Sequence, residues 1–212
     1  MYIQEAFSIP IAKFKWSEHD VFKEKFLNWY KELGDKNTTS HGSPDLFQFR
    51  SSDDNKSLLD EAPADIISDF KDFLEIQYTN YYNYVLGWAG EGCNIIDCWV
   101  NDGAEGCYQD PHYHANSWVS GCYYLNFTKE HSPIEFHNPF WATPITPSFV
   151  GEVLRETPYN SHSFIPEIEE GELIMWPSNI VHGYKKSPGN RMTIAMNFLP
   201  KGLGQGKSTV YL

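Results

Sequence analysis

The chain has 212 residues, 41% hydrophobic and 16% aromatic, enough to bury one substantial core and too apolar for a disordered chain. Its formal net charge is -12 and it has no basic run, which excludes the cationic footprint of nonspecific nucleic-acid binding. No apolar stretch approaches the length of a membrane span.

In chain order, "AFSIPIAKF" reads as a short strand that Pro10 confines to a sheet edge. A helix is predicted over 18–33, with Ser17 as N-cap, Gly34 as C-cap and an apolar face of Val21, Phe22, Phe26, Trp29, Tyr30 and Leu33. Residues 35–56 are polar around a brief "LFQF" and read as a mobile loop. A second helix is expected over 62–86, where Ile66, Ile67, Phe70, Phe73, Leu74, Gln77 and Tyr78 keep the spacing of a buried stripe. "GWAGEG" breaks it. From Asn94 the pattern turns to strands: "NIIDCWVND", "YQDPHYH", "SGCYYLNF" and "PIEFHNPF". Then come a proline-rich loop over 141–161 and four short strands in "HSFIPEIEEGELIMWPSNIVHGYKKSPGNRMTIAMNFLP". The expectation is one domain over 1–212, mainly β, with helical support in 1–90 and a β-sandwich or barrel core in 94–200. Cys93, Cys98, Cys107 and Cys122 form no CxxC pair and read as buried free thiols. With no secretory signal in "MYIQEAFSIPIAKFKW", a reducing, cytoplasmic location is expected.

The segment "QDPHYHANSWVSGCYYLN" carries the functional signal. If 109–114 is extended, Asp110, His112 and His114 share one face, because side chains alternate along a strand. Two such imidazoles start about 6.5–7 Å apart at Cα and can converge on one ion. That pattern alone fits a hydrogen-bonded pair as well as a metal site. About 70 residues later comes His182, then Pro188-Gly189 and Arg191. A type II turn over 187–190 would make 182–195 a hairpin. Lys186 would then face Arg191, Tyr184 face Thr193 and His182 face Ala195, with His182 and Arg191 about 13 Å apart on one sheet face. A metal held by histidines and a carboxylate or third histidine leaves open positions for a small chelating acid and for oxygen. An arginine at that distance can grip the far carboxylate of the acid.

"PHYHANSWVSGCYYLN", "GELIMWPSNIVHGY" and "RMTIAMNFLP" resemble the iron(II)/2-oxoglutarate-dependent oxygenases, and more narrowly the phage and bacterial family with a histidine pair followed by an SG-x-YYL strand. The resemblance covers 94–200. It implies a double-stranded β-helix, a jelly-roll of the cupin-like kind, and an iron(II)- and 2-oxoglutarate-dependent dioxygenase that consumes O2 and releases succinate and CO2 as it hydroxylates a substrate. His112 matches the first metal histidine and His182 the distal one. Arg191 and Tyr124 match the residues that bind the far carboxylate of 2-oxoglutarate, and Thr193 a position where a small hydroxyl assists. The departure is His114, where the superfamily has Asp or Glu. Asp110 is the alternative third ligand.

The resemblance further implies a peptidyl, prolyl-like, or small-molecule substrate, no nucleic-acid or membrane partner, a homodimer as an open option, and a bacterial or phage-infected cell. Trp99 and Tyr108 are candidate pocket residues, and the loops 35–56 and 141–161 candidate lids. His137 and His162 read as surface or supporting groups, and His19 and His41 as solvated. Two other readings fit the residues: a non-catalytic cupin-like ligand-binding barrel, and a three-histidine iron dioxygenase that does not use 2-oxoglutarate. A co-substrate mechanism needs Arg191 and Tyr124 aimed at one carboxylate, and the alternatives do not.

Overall fold

The computed structural model describes residues 8–33, 39–41, 43–53, 56–140, 154–155, 157–158 and 160–201. The chain runs β1 (Ala12–Lys15), α1 (His19–Glu32), β2 (Thr39–His41), β3 (Ser43–Phe49), a single turn α2 (Leu58–Glu61) and α3 (Ala64–Asn80), which ends in a π-helical turn over Tyr81–Val85. Then follow β4 (Cys93–Gly103), β5 (Gln109–His112), β6 (Val119–Asn126), β7 (Glu135–His137), β8 (Ser163–Phe164), β9 (Glu172–Pro177), β10 (His182–Tyr184) and β11 (Arg191–Pro200). Seven strands form one sheet in the order β1-β9-β6-β11-β4-β3-β2, and four form a second in the order β5-β10-β7-β8. This is the double-stranded β-helix. No helix among the described residues is long and apolar enough to cross a membrane.

Period-two alternation decides what each face of the large sheet touches. On β11, Met192, Ile194, Met196 and Phe198 join Tyr123 and Leu125 of β6 in a core that also holds Phe22, Phe26, Phe70 and Phe73 of α1 and α3. Burying each such phenylalanine contributes about 1.5–3 kcal/mol. The opposite set, Cys122, Tyr124, Ile174 and Trp176, packs with Phe127, Ile134 and Phe136 between the sheets. Both faces of β6 and β11 are thus covered, which is why they read as almost unbroken apolar runs. Gly121 is required on the helix side: a Cβ there would lie 2.8 Å from Met196 Sδ.

β1 pairs only with β9, so the edge expectation for the first strand holds. The four cysteines are buried and free. Several expectations are corrected. The first helix starts at His19, and Ser17 gives no cap, its hydroxyl donating instead to Glu18 Oε1 at 3.1 Å. Val21 is exposed, because the buried stripe of α1 is narrower than the sequence suggests. The segment taken for a loop over 35–56 contains β2 and β3, which extend the large sheet through Leu46–Phe49 paired to Val100–Gly103. The N-terminal portion therefore supplies three strands as well as helices. His19 is buried, with Nδ1 2.6 Å from Tyr123 Oη and Nε2 3.2 Å from Glu170, and so clamps α1 onto the barrel. Residues 34–38, His41's side chain and most of the 141–161 loop fall outside the described residues.

Candidate active site

The expected 182–195 hairpin does not form. β10 pairs with β5 and β7 in the small sheet, whereas β11 pairs with β4 and β6 in the large one. The left-handed residue in the connection is Asn190 (φ 65), and Gly189 stays out of that region, so no type II turn folds the chain back. The connection crosses between layers. His182 and Arg191 end on opposite walls of one pocket, with Tyr184, Thr193 and Ala195 also lining it.

On the small-sheet wall His182 is paired with His112. Their rings lie 4.4 Å apart, and His114 lies 5.3 Å from His112 and 5.2 Å from His182, almost parallel to it. One ring nitrogen from each of the three lies within 4.8 Å of the others. His112 Nδ1 is 2.8 Å from the carbonyl of Asp110 and His182 Nδ1 is 2.9 Å from that of Ile180. A carbonyl can only accept, so Nδ1 carries the proton in both rings and the Nε2 lone pair is left for a cation. Burial, with repulsion from His112 and His114, pushes the His182 imidazolium down to about 3, so the ring is neutral near pH 7. Gly183 allows the pairing: a Cβ there would lie 2.5 Å from the Gln109 carbonyl.

β5 ends at His112, so His114 does not share its strand and is carried by the loop that follows. Asp110 is exposed and its carboxylate is not part of the histidine cluster. Neither His137 nor His162 is a member.

Arg191 on the opposite wall is 2% exposed. Its Nε donates to the Ser132 carbonyl at 3.0 Å. Its guanidinium carbon lies 3.9 Å from the Tyr184 ring centre, 5.6 Å from that of Tyr124 and 5.9 Å from that of Phe127. Among the described residues no carboxylate forms an ion pair with it. A buried cation without a counter-charge is costly, so the site suits an anion. Tyr124 is fully buried, its hydroxyl accepting from the Ile134 amide at 3.3 Å and facing Arg191. Burial pushes its pKa up, which keeps it a phenol able to donate. Thr193 Oγ1 lies beside the Cys122 thiol and Tyr184 Oη beside that of Cys107, and among the described residues neither oxygen nor Trp176 Nε1 has a hydrogen-bond partner. All three residues line the pocket.

Trp99 lines it too and stacks on His114 at 5.9 Å. Tyr108 does not line it, because the inward residue at that point is Gln109. Sequence reasoning missed Asn101, whose side-chain oxygen accepts from Gln48 Nε2 (2.8 Å) and Trp99 Nε1 (3.1 Å), leaving its NH2 group as a donor for the pocket. The available signal was period two: Trp99, Asn101 and Gly103 are the inward positions of β4 and oppose Ala195, Thr193 and Arg191.

The family described as "Putative 2OG-Fe(II) oxygenase" matches residues 97–197, which include all three histidines and Arg191. Over this segment the chain is similar to the 2OG-Fe(II) oxygenases. Among solved structures, the oxygenase fold resembles a prolyl-4-hydroxylase from Pseudomonas putida (TM-score 0.59, 12% identity, 92% of this chain and 95% of that one). It also resembles a 2OG-Fe(II) oxygenase family oxidoreductase from Burkholderia pseudomallei (TM-score 0.59, 11% identity, 89% and 84%). A third is HygX from Streptomyces hygroscopicus, solved with nickel, 2-oxoglutarate and hygromycin B (TM-score 0.57, 12% identity, 92% and 84%). At these identities the likeness is one of fold. No curated protein matches the chain in sequence.

Proposed function

We propose that the protein is an iron(II)- and 2-oxoglutarate-dependent dioxygenase that hydroxylates a peptidyl or small-molecule substrate. The observation that carries this reading is the buried Arg191, unpaired among the described carboxylates, across one pocket from three clustered histidines. His112, His114 and His182 are the ligand set, each offering one nitrogen. Three neutral imidazoles bring no charge, so neutralisation of a divalent ion falls to the acid that joins it. When bound, iron(II), 2-oxoglutarate and O2 supply the chemistry: the oxo acid is decarboxylated to succinate and CO2, and one oxygen atom enters the substrate.

The protein's own residues bind and orient. Arg191 takes the far carboxylate in its guanidinium fork, and Tyr124, fully buried behind the pocket lining, steadies that guanidinium 5.6 Å from its ring. Thr193 Oγ1 and the Asn101 amide flank the path from Arg191 to the histidines. The aromatic walls of Trp99, Trp176 and Tyr184 exclude water from that path, which strengthens each polar contact inside it. Both substrate classes occur among the fold relatives: the Trichoplax adhaerens prolyl hydroxylase is bound to a peptide fragment, and HygX to hygromycin B.

Arg191 also separates this reading from a metal-binding barrel or a three-histidine dioxygenase that uses no co-substrate, since neither needs a buried cation opposite the metal. The test is anaerobic titration of the metal-free protein with iron(II) and then 2-oxoglutarate. A weak visible charge-transfer band that appears only with both, and succinate formation on admitting O2, are the expected results. Iron binding with neither band nor succinate would leave the non-co-substrate readings standing.

A further inference from the structure

His114 poses a mechanical problem. His112 and His182 are fixed by strand pairing to each other, whereas His114 lies past the end of β5 with no ladder to hold it. Nevertheless its ring is parallel to that of His182 within 5° and stacks on Trp99. Something else must fix the loop that carries it.

The backbone provides three ties. The His114 amide donates to the Ser178 carbonyl (3.0 Å), the Ser178 amide to the Trp118 carbonyl (3.1 Å), and the Trp118 amide to the Phe198 carbonyl (2.9 Å). Around them lies a cluster of three hydroxyls and one carboxamide from four separate segments. Ser117 Oγ is 2.6 Å from Ser178 Oγ, Ser178 Oγ is 2.9 Å from Ser120 Oγ, and Ser120 Oγ is 2.8 Å from Asn197 Oδ1. Ser117 comes from the His114 loop, Ser120 from β6, Ser178 from the turn after β9 and Asn197 from β11. Ser120 and Ser178 are each 1% exposed. Ser117 donates to Ser178 Oγ, and the Ser120 hydroxyl can donate to either Ser178 Oγ or Asn197 Oδ1. Hydroxyls linked in this way reinforce one another in a buried setting. Ser117 and Ser120 are the two serines of the "SWVSG" motif, and Ser120 also lines the pocket.

We propose that Ser117, Ser120, Ser178 and Asn197 form a bracket that holds His114 in its metal-binding position, acting as positioning residues. The inference rests on His114 being a metal ligand. Supporting groups that orient ligating histidines are worth about 10- to 100-fold in metal affinity, and the bracket acts on one histidine of three.

The test is Co(II) titration of the metal-free full chain, reading the dissociation constant and the d–d absorption spectrum. Ser178→Ala and Ser120→Ala are expected to weaken Co(II) binding about tenfold or more and to shift the spectrum toward that of His114→Ala. In a His114→Ala background the same serine changes are expected to cost nothing further. Ser178→Thr, which keeps the hydroxyl, restores the parent values. If Ser178→Ala does not fold, Ser117→Ala at its partly exposed position carries the same comparison. The bracket is overturned if His114→Ala weakens binding while the serine variants match the parent, or if the full serine effect persists on top of His114→Ala. If His114→Ala itself binds Co(II) like the parent, the three-histidine reading fails and takes the bracket with it.

Discussion

The guanidinium carbon of Arg191 lies 3.9 Å from the centre of the Tyr184 ring, close enough for the arginine to stack on it. Tyr184 belongs to the small sheet and Arg191 to the large one, so this contact ties the two layers together across the pocket they line. It also fixes the guanidinium plane, which a lysine in the same place would lack.

Arg191→Lys is therefore not conservative. Lysine keeps the charge but loses the fork, and one hydrogen bond to a charged group is worth roughly 1.5–3 kcal/mol, so the KM for 2-oxoglutarate is expected to rise at least about tenfold. Iron(II) affinity in the absence of the acid should stay near the parent value. Steady-state kinetics with the oxo acid varied, beside a metal titration, checks both.

Single alanine changes at His112, His114 and His182 are each expected to reduce iron(II) binding strongly, while Asp110→Ala retains it. Equilibrium dialysis with metal analysis decides this. Loss of iron in Asp110→Ala with retention in His114→Ala would reverse the choice of third ligand.

The metal-free protein should lose stability in acid through His182. Its folded pKa lies near 3, below the ordinary 6.5 of an unfolded chain. The unfolded state thus binds the extra proton first. The contribution is fully present above about 6.5 and is lost as pH falls toward 3, by at most about 1.4 kcal/mol per pH unit. Denaturant melts of the metal-free protein across that window should flatten in His182→Gln.

Gly183→Ala would set a methyl against the Gln109 carbonyl, where only 2.5 Å is free. Overpacking of this kind costs about 1–3 kcal/mol. Because the obstacle is the β5 backbone, β10 must move away and carry His182 from His112. Thermal melting should show the lost stability. Metal titration should show a larger loss of affinity than in Gly121→Ala, which clashes with the flexible Met196 side chain on the other face of the sheet.

Much of the barrel could be read directly because its strands obey simple periodicity. The alternation in "RMTIAMNFLP" separates Arg191, Thr193 and Ala195 from Met192, Ile194 and Met196, and the structure puts these sets on opposite faces. The spacing of His112, His114, His182 and Arg191 was likewise visible as a set. What escaped was whatever depends on partners distant in sequence. β3 lies in a polar stretch, and its pairing to β4 depends on residues more than 50 positions away. With it went Gln48 and the orientation of Asn101. The Pro188-Gly189 pair suggested a hairpin because turn chemistry is local. The choice between folding back and crossing layers is made by the partners of β10 in the other sheet. His19 looked solvated from its helix context, and only Tyr123 and Glu170 together make burial affordable.

The crossing of the chain from β10 to β11 has a further result. Since Arg191 and His182 belong to different layers, the length of any ligand that spans them is measured by the gap between sheets, about 10 Å in such packings, and not by residue spacing along one strand. Side chains that prop the layers apart from behind the pocket, Phe136 among them, therefore set that length without touching the ligand. Trimming one would be felt as a change in which oxo acid is accepted.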